Sequence, residues 1–360
     1  MLKELENLRQ KIDKIDKKIV ELLDDRASVA KKIYLLKRKN NIPVFDVLRE
    51  DEKISWVQSC VKHFPKDSAR KVFVEIFSGT RKLAKDMKVA YLGPEGSFSH
   101  LAAVNVFGSS VEFLPEDLSG IFEKVQRSDV DYGVIPIENS RDGLVGETLD
   151  LLLESKVKII YEVSMKVSFC FFSNADSLKN VKRIYSHQKA IIQCSKWIRE
   201  NLGKVDVVYT SSTSDGAKRA YEDIEGGAIA SEEISKIMNF KIFYKDIQDS
   251  VDERTDFAII SADEDIFVSP KRKILNPRIS FCFSVLDEPG ALFKALYPIA
   301  RRKINMKKIH SRPDKITKRY NFFVEIEEPR NEKIVYKTFE DIKKNSVFFR
   351  VFGKYPYKVI

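Results

Sequence analysis

Ile135-Pro136-Ile137-Glu138-Asn139-Ser140 follows the apolar run Tyr132-Gly133-Val134, and the reading of this stretch decides the fold. The apolar run reads as a strand. Pro136 has no N–H to give to a ladder, so the strand ends or lies at an edge there. Glu138, Asn139 and Ser140 then open a polar loop at the strand's C-terminal end, where open α/β sheets hold their ligands. One such loop is usually just a turn. Its weight comes from similar loops elsewhere in the chain.

Toward the N-terminus, Val89-Ala90-Tyr91-Leu92 reads as a strand, Gly93–Ser99 as a turn, and His100–Phe107 as a helix capped by Ser99. Glycines let the backbone approach a ligand, and a helix N-terminus favours a carboxylate. The turn lacks G-x-G-x-x-G, so it is not read as a dinucleotide site. Toward the C-terminus a second lobe begins near Val181. Ile184-Tyr185-Ser186-His187 leads into a helix with Gln193-Cys194, Tyr209–Ser214 is a hydroxyl-rich helix start, and Gly227–Ser231 is a turn of small residues. Thr255-Asp256-Phe257 opens a strand that returns to the first lobe. Residues 88–264 thus alternate short strands with helices, the mark of α/β folding.

The flanks differ. In residues 1–87, Leu5, Leu8, Ile12, Ile15, Ile19, Leu22, Val29, Ile33 and Leu36 form a heptad seam that stops at Asn40-Asn41-Ile42-Pro43. Such a helix, about 50 Å long, cannot fold back on itself and needs a partner. Arg26 interrupts the seam, either paired with Asp24 or Asp25 at the rim or aimed at an anionic ligand in a site inside the bundle, and Lys37 lies about three turns further on nearly the same face. Arg9 lies about 25 Å from Arg26 along the axis, so it reaches such a site only across an antiparallel dimer. A second helix starts near Asp46, and a third spans Asp67 to Met87. At the other end, Asp263–Pro277 reads as a linker. Residues 278–360 then run strand, helix, strand, strand, helix, strand, the ferredoxin-like βαββαβ order, with the last strand at Val347–Phe352.

A chain of 360 residues suggests two or three domains. No apolar run approaches the roughly 18 residues of a membrane span, and the charged N-terminus is no signal peptide. Four scattered cysteines and four isolated histidines give no metal spacing and suggest reduced thiols in a cytoplasmic protein. The net charge of +10 raises nucleic-acid binding, but Lys and Glu alternate on helix faces and no nucleic-acid motif is present. The expectation is no metal, no nucleic acid and no membrane.

Leu8-Arg9-Gln10-Lys11-Ile12-Asp13, Leu22–Arg26, Lys37, Pro43-Val44 and Asp46–Glu50 resemble the all-helical chorismate mutases. That resemblance implies an intertwined dimer in which Arg9 crosses to the partner's site. It places Arg26 and Arg49 at the carboxylates of chorismate, Lys37 at the ether oxygen and Asp46 and Glu50 at the hydroxyl. Gly93–Ser99, Ile135–Ser140, Ser186-His187 with Gln193-Cys194, Ser212-Thr213 and Thr255 with Phe257 resemble prephenate dehydratase. The implied fold is two-lobed, like a periplasmic binding protein. Asn139, Gln193 and Thr255 match essential positions, with Ser97, Ser99, Glu138, Ser140, Ser212, Thr213 and Phe257 around the substrate. Gly290-Ala291-Leu292 and Ser311-Arg312-Pro313, with His310, resemble the phenylalanine-binding motifs of an ACT domain.

The resemblance implies a chorismate mutase and prephenate dehydratase under phenylalanine feedback, without cofactor, working as a homodimer or larger homo-oligomer. Departures mark the alternatives. The mutases carry Ser and, four residues later, Gln or Glu on the third helix; here these are Thr80 and Ala84, which favours a dehydratase whose helical module mainly dimerises. The dehydratases read Thr-Arg-Phe, where Asp256 stands here, which favours a non-catalytic amino-acid sensor. Gln188 and Lys189 follow His187 in place of Pro-Gln, and His310 replaces a glutamate.

Overall fold

The structure, a computed structural model, describes residues 1–40, 42–141, 143–262, 277–314, 319–329 and 331–360. The chain divides into two compact units, Met1–Met87 with Val104–Glu112, and Lys88–Ala103 with Phe113–Ile360. The expected linker lies outside the described residues except for Pro277.

The first unit holds α1 (Leu2–Lys39), α2 (Val47–Cys60) and α3 (Lys66–Lys82). Asp46 caps α2 by accepting the Arg49 N–H at 3.1 Å. α3 stops five residues before the expected Met87, with Leu83 as its C-cap, so Ala84 lies beyond the helix. Ile54, Val74 and Phe77 form the small core. Among the described residues, none of α1 is buried. Its half-buried side carries Arg26, Ala30, Tyr34 and Lys37, while the apolar seam stays in water, Leu22 being 66 % exposed.

The second unit contains two sheets. Strands β1 (Lys88–Leu92), β2 (Glu112–Glu116), β3 (Tyr132–Asn139), β4 (Gly143–Leu144), β5 (Lys158–Lys166) and β11 (Arg254–Ser261) build the first lobe. Strands β6 (Cys170–Ser173), β7 (Arg183–Ser186), β8 (Asp206–Tyr209), β9 (Gly226–Ala230) and β10 (Ile242–Tyr244) build the second, in the order β10-β6-β9-β7-β8. The strand that carries Pro136 continues to Asn139. Its pairing with β11 shifts between Asp256 and Phe257, an irregularity opposite the proline.

The C-terminal segment has β12 (Pro277–Ser284), a helix at Ala291–Arg301, β13 (Met306–Pro313), β14 (Tyr320–Glu327), a helix at Glu332–Lys344 and β15 (Phe348–Val359), with strand order β13-β14-β12-β15. β15 runs seven residues past the expected Phe352. Its far end pairs parallel with β5, Tyr357 opposite Glu162, so one ten-stranded sheet spans the described residues of both segments. Gly353 permits this junction: a Cβ there would sit 2.1 Å from the Ile159 carbonyl oxygen.

Candidate active sites

β3 and β11 run antiparallel with Thr255 opposite Asn139. The Asn139 amide donates to Thr255 Oγ1 at 3.0 Å, while its Oδ1 accepts the Arg141 N–H at 2.9 Å. The second bond fixes which end of the amide faces Thr255. Because Thr255 accepts from Asn139, its own hydroxyl hydrogen points elsewhere. Ser140 brackets the same strand ends: its Oγ accepts the Arg254 N–H at 3.0 Å and its N–H donates to the Arg254 carbonyl at 2.9 Å.

Cross-strand partners share a face, and neighbours along a strand alternate. Asp256 pairs with Glu138, so both carboxylates lie on the face opposite Asn139 and Thr255. There they meet Lys308 of β13, whose ammonium is 2.8 Å from Glu138, 2.8 Å from Asp256, 2.9 Å from Glu162 and 3.8 Å from Glu325. Glu162 is fully buried. Desolvation and the nearby Glu325 push its pKa up to about 8. Burial works against the Lys308 charge, but Glu162, Glu325 and Asp256 outweigh it and hold the amine protonated.

Other expected residues fall differently. Gln193 is buried and its amide donates to Glu253, two residues before Thr255. The N-cap of Phe98–Phe107 is Ser97, whose Oγ accepts the His100 N–H at 3.2 Å; Ser99, expected as the cap, is buried in the helix. Gly96, at φ 80°, abuts the second lobe, where an added Cβ would meet Ile234 Cδ1 at 2.8 Å. Ser212 caps the helix beginning at Thr213, accepting the Asp215 N–H. His187 caps Gln188–Gln193, and burial and Lys189 lower its pKa. Phe257, expected beside the substrate, is 1 % exposed and belongs to the interior.

In the helical unit, Arg26 donates to Thr80 Oγ1 at 3.4 Å and lies over the Phe77 ring. Lys37 donates to the Val44 carbonyl at 3.1 Å and is 3.7 Å from Asp46. Glu50 pairs with Arg81, a guanidinium only 1 % exposed that also donates to the Phe107 carbonyl. Burial raises the Glu50 pKa and Arg81 opposes that rise. Arg49 is exposed and pairs with Glu52 at 3.3 Å. Arg9 is exposed, 3.9 Å from Glu6. Arg26, Lys37, Asp46, Glu50 and Thr80 therefore gather on the side of α1 facing α2 and α3, while Arg9 remains apart.

Gly290, at φ 79°, precedes the helix Ala291–Arg301, and the Ala291 N–H is bonded to the Glu288 carbonyl. On β13, Lys308, His310 and Arg312 share the half-buried face, while Ser311 and Pro313 are exposed. Arg312 makes a two-pronged pair with Asp150 at 2.5 and 2.6 Å. It lies so close to Gly146 that a Cβ there would come within 2.1 Å of Nη1.

Sequence reading missed Lys308, Glu162, Glu253 and Arg81. Glu162 alone carried a local signal, a carboxylate inside the apolar strand Lys158–Lys166.

A helical unit with converging basic and acidic groups, joined to an α/β unit with an Asn–Thr pair at its strand ends, defines a chain with two separate candidate sites. Residues 8–85 match the model for chorismate mutase type II and residues 89–265 that for prephenate dehydratase. The chain is 38 % identical to the bifunctional chorismate mutase/prephenate dehydratase of Aquifex aeolicus, covering 99 % of this chain and 98 % of that one. It is 31 % identical to that of Pseudomonas aeruginosa, covering 99 % of both. A solved prephenate dehydratase from Arthrobacter aurescens, in complex with L-Phe, superposes with TM-score 0.69 at 27 % identity, over 75 % of this chain and 90 % of that one. The chain belongs to the bifunctional chorismate mutase/prephenate dehydratase family.

Proposed function

We propose that this chain carries out two steps toward phenylalanine, rearranging chorismate to prephenate in its helical unit and converting prephenate to phenylpyruvate in its α/β unit. The single observation that carries the second assignment is the Asn139–Thr255 hydrogen bond. Aromatisation drives loss of carbon dioxide, so the site's task is to help hydroxide leave. Thr255, held by Asn139 with its hydroxyl hydrogen turned away, donates to the departing oxygen. Gln193, fixed by Glu253, belongs to the same site, and Ser97, Ser212 and Thr213 hold the substrate from helix starts.

The helical site needs no nucleophile, because the rearrangement is pericyclic. Fixed cations keep the dianion compact and stabilise charge on the ether oxygen. Arg26 and Arg49 supply them at the carboxylates and Lys37 at the ether oxygen, the partner chain's copy of Arg9 crosses into the site, and Asp46 and Glu50 stand at the hydroxyl. The exposed seam of α1 supports a homodimer, since a second copy covers it. The C-terminal strand order supports a ferredoxin-like ACT domain, and phenylalanine is its effector, bound by the Gly290-Ala291-Leu292 turn and Ser311-Arg312-Pro313. Asp256 faces Lys308 rather than the site, which removes the main support for a non-catalytic sensor. Thr255→Ala tests the assignment: prephenate turnover is lost while chorismate turnover persists.

A further inference from the structure

Lys308 reaches from the C-terminal segment to the back of the strands that bear Asn139 and Thr255. Glu138 immediately precedes Asn139, Asp256 immediately follows Thr255, and the two carboxylates are opposite each other in the ladder. One ammonium lies 2.8 Å from each. The ladder shifts register one residue later, between Asp256 and Phe257, so these ion pairs sit beside the irregularity in the β3–β11 pairing. Glu162, on the third strand β5, adds a contact at 2.9 Å. Glu325, 3.8 Å from the lysine, is itself paired with Arg278, and Tyr355 donates to it. These charges sit on the face away from the reacting groups, so Lys308 does not itself touch substrate.

We propose that Lys308 is a positioning residue for the dehydratase site: it holds β3 and β11 together through Glu138 and Asp256, and so keeps the Asn139 amide on Thr255. The inference rests on the reading of Asn139 and Thr255 as dehydratase residues. A displacement well under an ångström at such a pair changes turnover more than binding. Loss of the cation therefore lowers kcat and leaves KM nearly alone, whereas a general loss of structure lowers the active fraction and the melting cooperativity together.

The test uses full-length chains carrying Lys308→Met, Lys308→Arg, Asp256→Asn or Thr255→Ala, assayed with prephenate and followed by thermal melting. Lys308→Met is expected to lower kcat about tenfold with little change in KM, and Lys308→Arg to restore at least about half of it. Asp256→Asn leaves the lysine its other partners, is expected to cost about threefold, and carries the test if Lys308→Met does not fold. Wild-type kcat in a folded Lys308→Met chain, or in Asp256→Asn where the first does not fold, overturns the role of Lys308. Full turnover by Thr255→Ala would instead overturn the underlying reading of the site.

Discussion

Asp256 occupies a position where the dehydratases read arginine, and an aspartate facing a dianion would repel it. The β3–β11 register turns its side chain away from Thr255 and onto Lys308. The residue is one half of a partly buried ion pair. Asp256→Arg is therefore predicted to lower prephenate turnover and the melting temperature, because it sets a second cation against Lys308. Lys308 keeps its other carboxylates, so the cost is about 1–3 kcal/mol. Increased turnover in that variant contradicts this account. Asn139 and Thr255 stood out through the resemblance to the dehydratases, since a polar turn at a strand end is by itself usually just a turn. The role of Asp256 was not, because its partner lies 52 residues away and looks like any lysine on an amphipathic strand.

Elements with a clear period were legible, and so were the ends marked by a cap or a breaker, such as Asn40 after α1. The heptad spacing fixed α1, and Asp46 marked the start of α2. The strand expected at Val347–Phe352 runs on to Val359 because its far end pairs with β5, a partner far back in the chain that no local pattern discloses. Gly353→Ala is predicted to destabilise the second unit by about 2 kcal/mol or more, since the added Cβ meets backbone that cannot yield. A melting curve unchanged by that substitution contradicts the close approach. Glu162 gives β5 a pH dependence of known sign. Its pKa is raised in the folded chain to about 8, so the folded state binds the extra proton. The stability it contributes is present at low pH and is lost as pH rises from the ordinary glutamate range through about 8. Glu162→Gln keeps a neutral side chain there, so its melting advantage over wild type is predicted to grow between pH 5 and pH 9, by several degrees. A constant difference across that range contradicts the shift.

At the scale of the whole molecule, the proposed homodimer would cover the exposed seam of α1 and bring Arg9 to the partner's site. Arg9→Ala and Arg26→Ala chains, each without mutase activity, are predicted to recover part of it after subunit exchange, because one site of a mixed dimer contains both arginines. No recovery after verified exchange contradicts shared sites. The central claim, that one chain carries two sequential reactions in two separate units, is tested most directly by giving purified Thr255→Ala protein chorismate and following prephenate and phenylpyruvate separately. The account predicts that chorismate is consumed at the wild-type rate and accumulates as prephenate, while phenylpyruvate formation falls at least about a hundredfold. Phenylpyruvate formed at the wild-type rate, or chorismate left unconsumed, would contradict it.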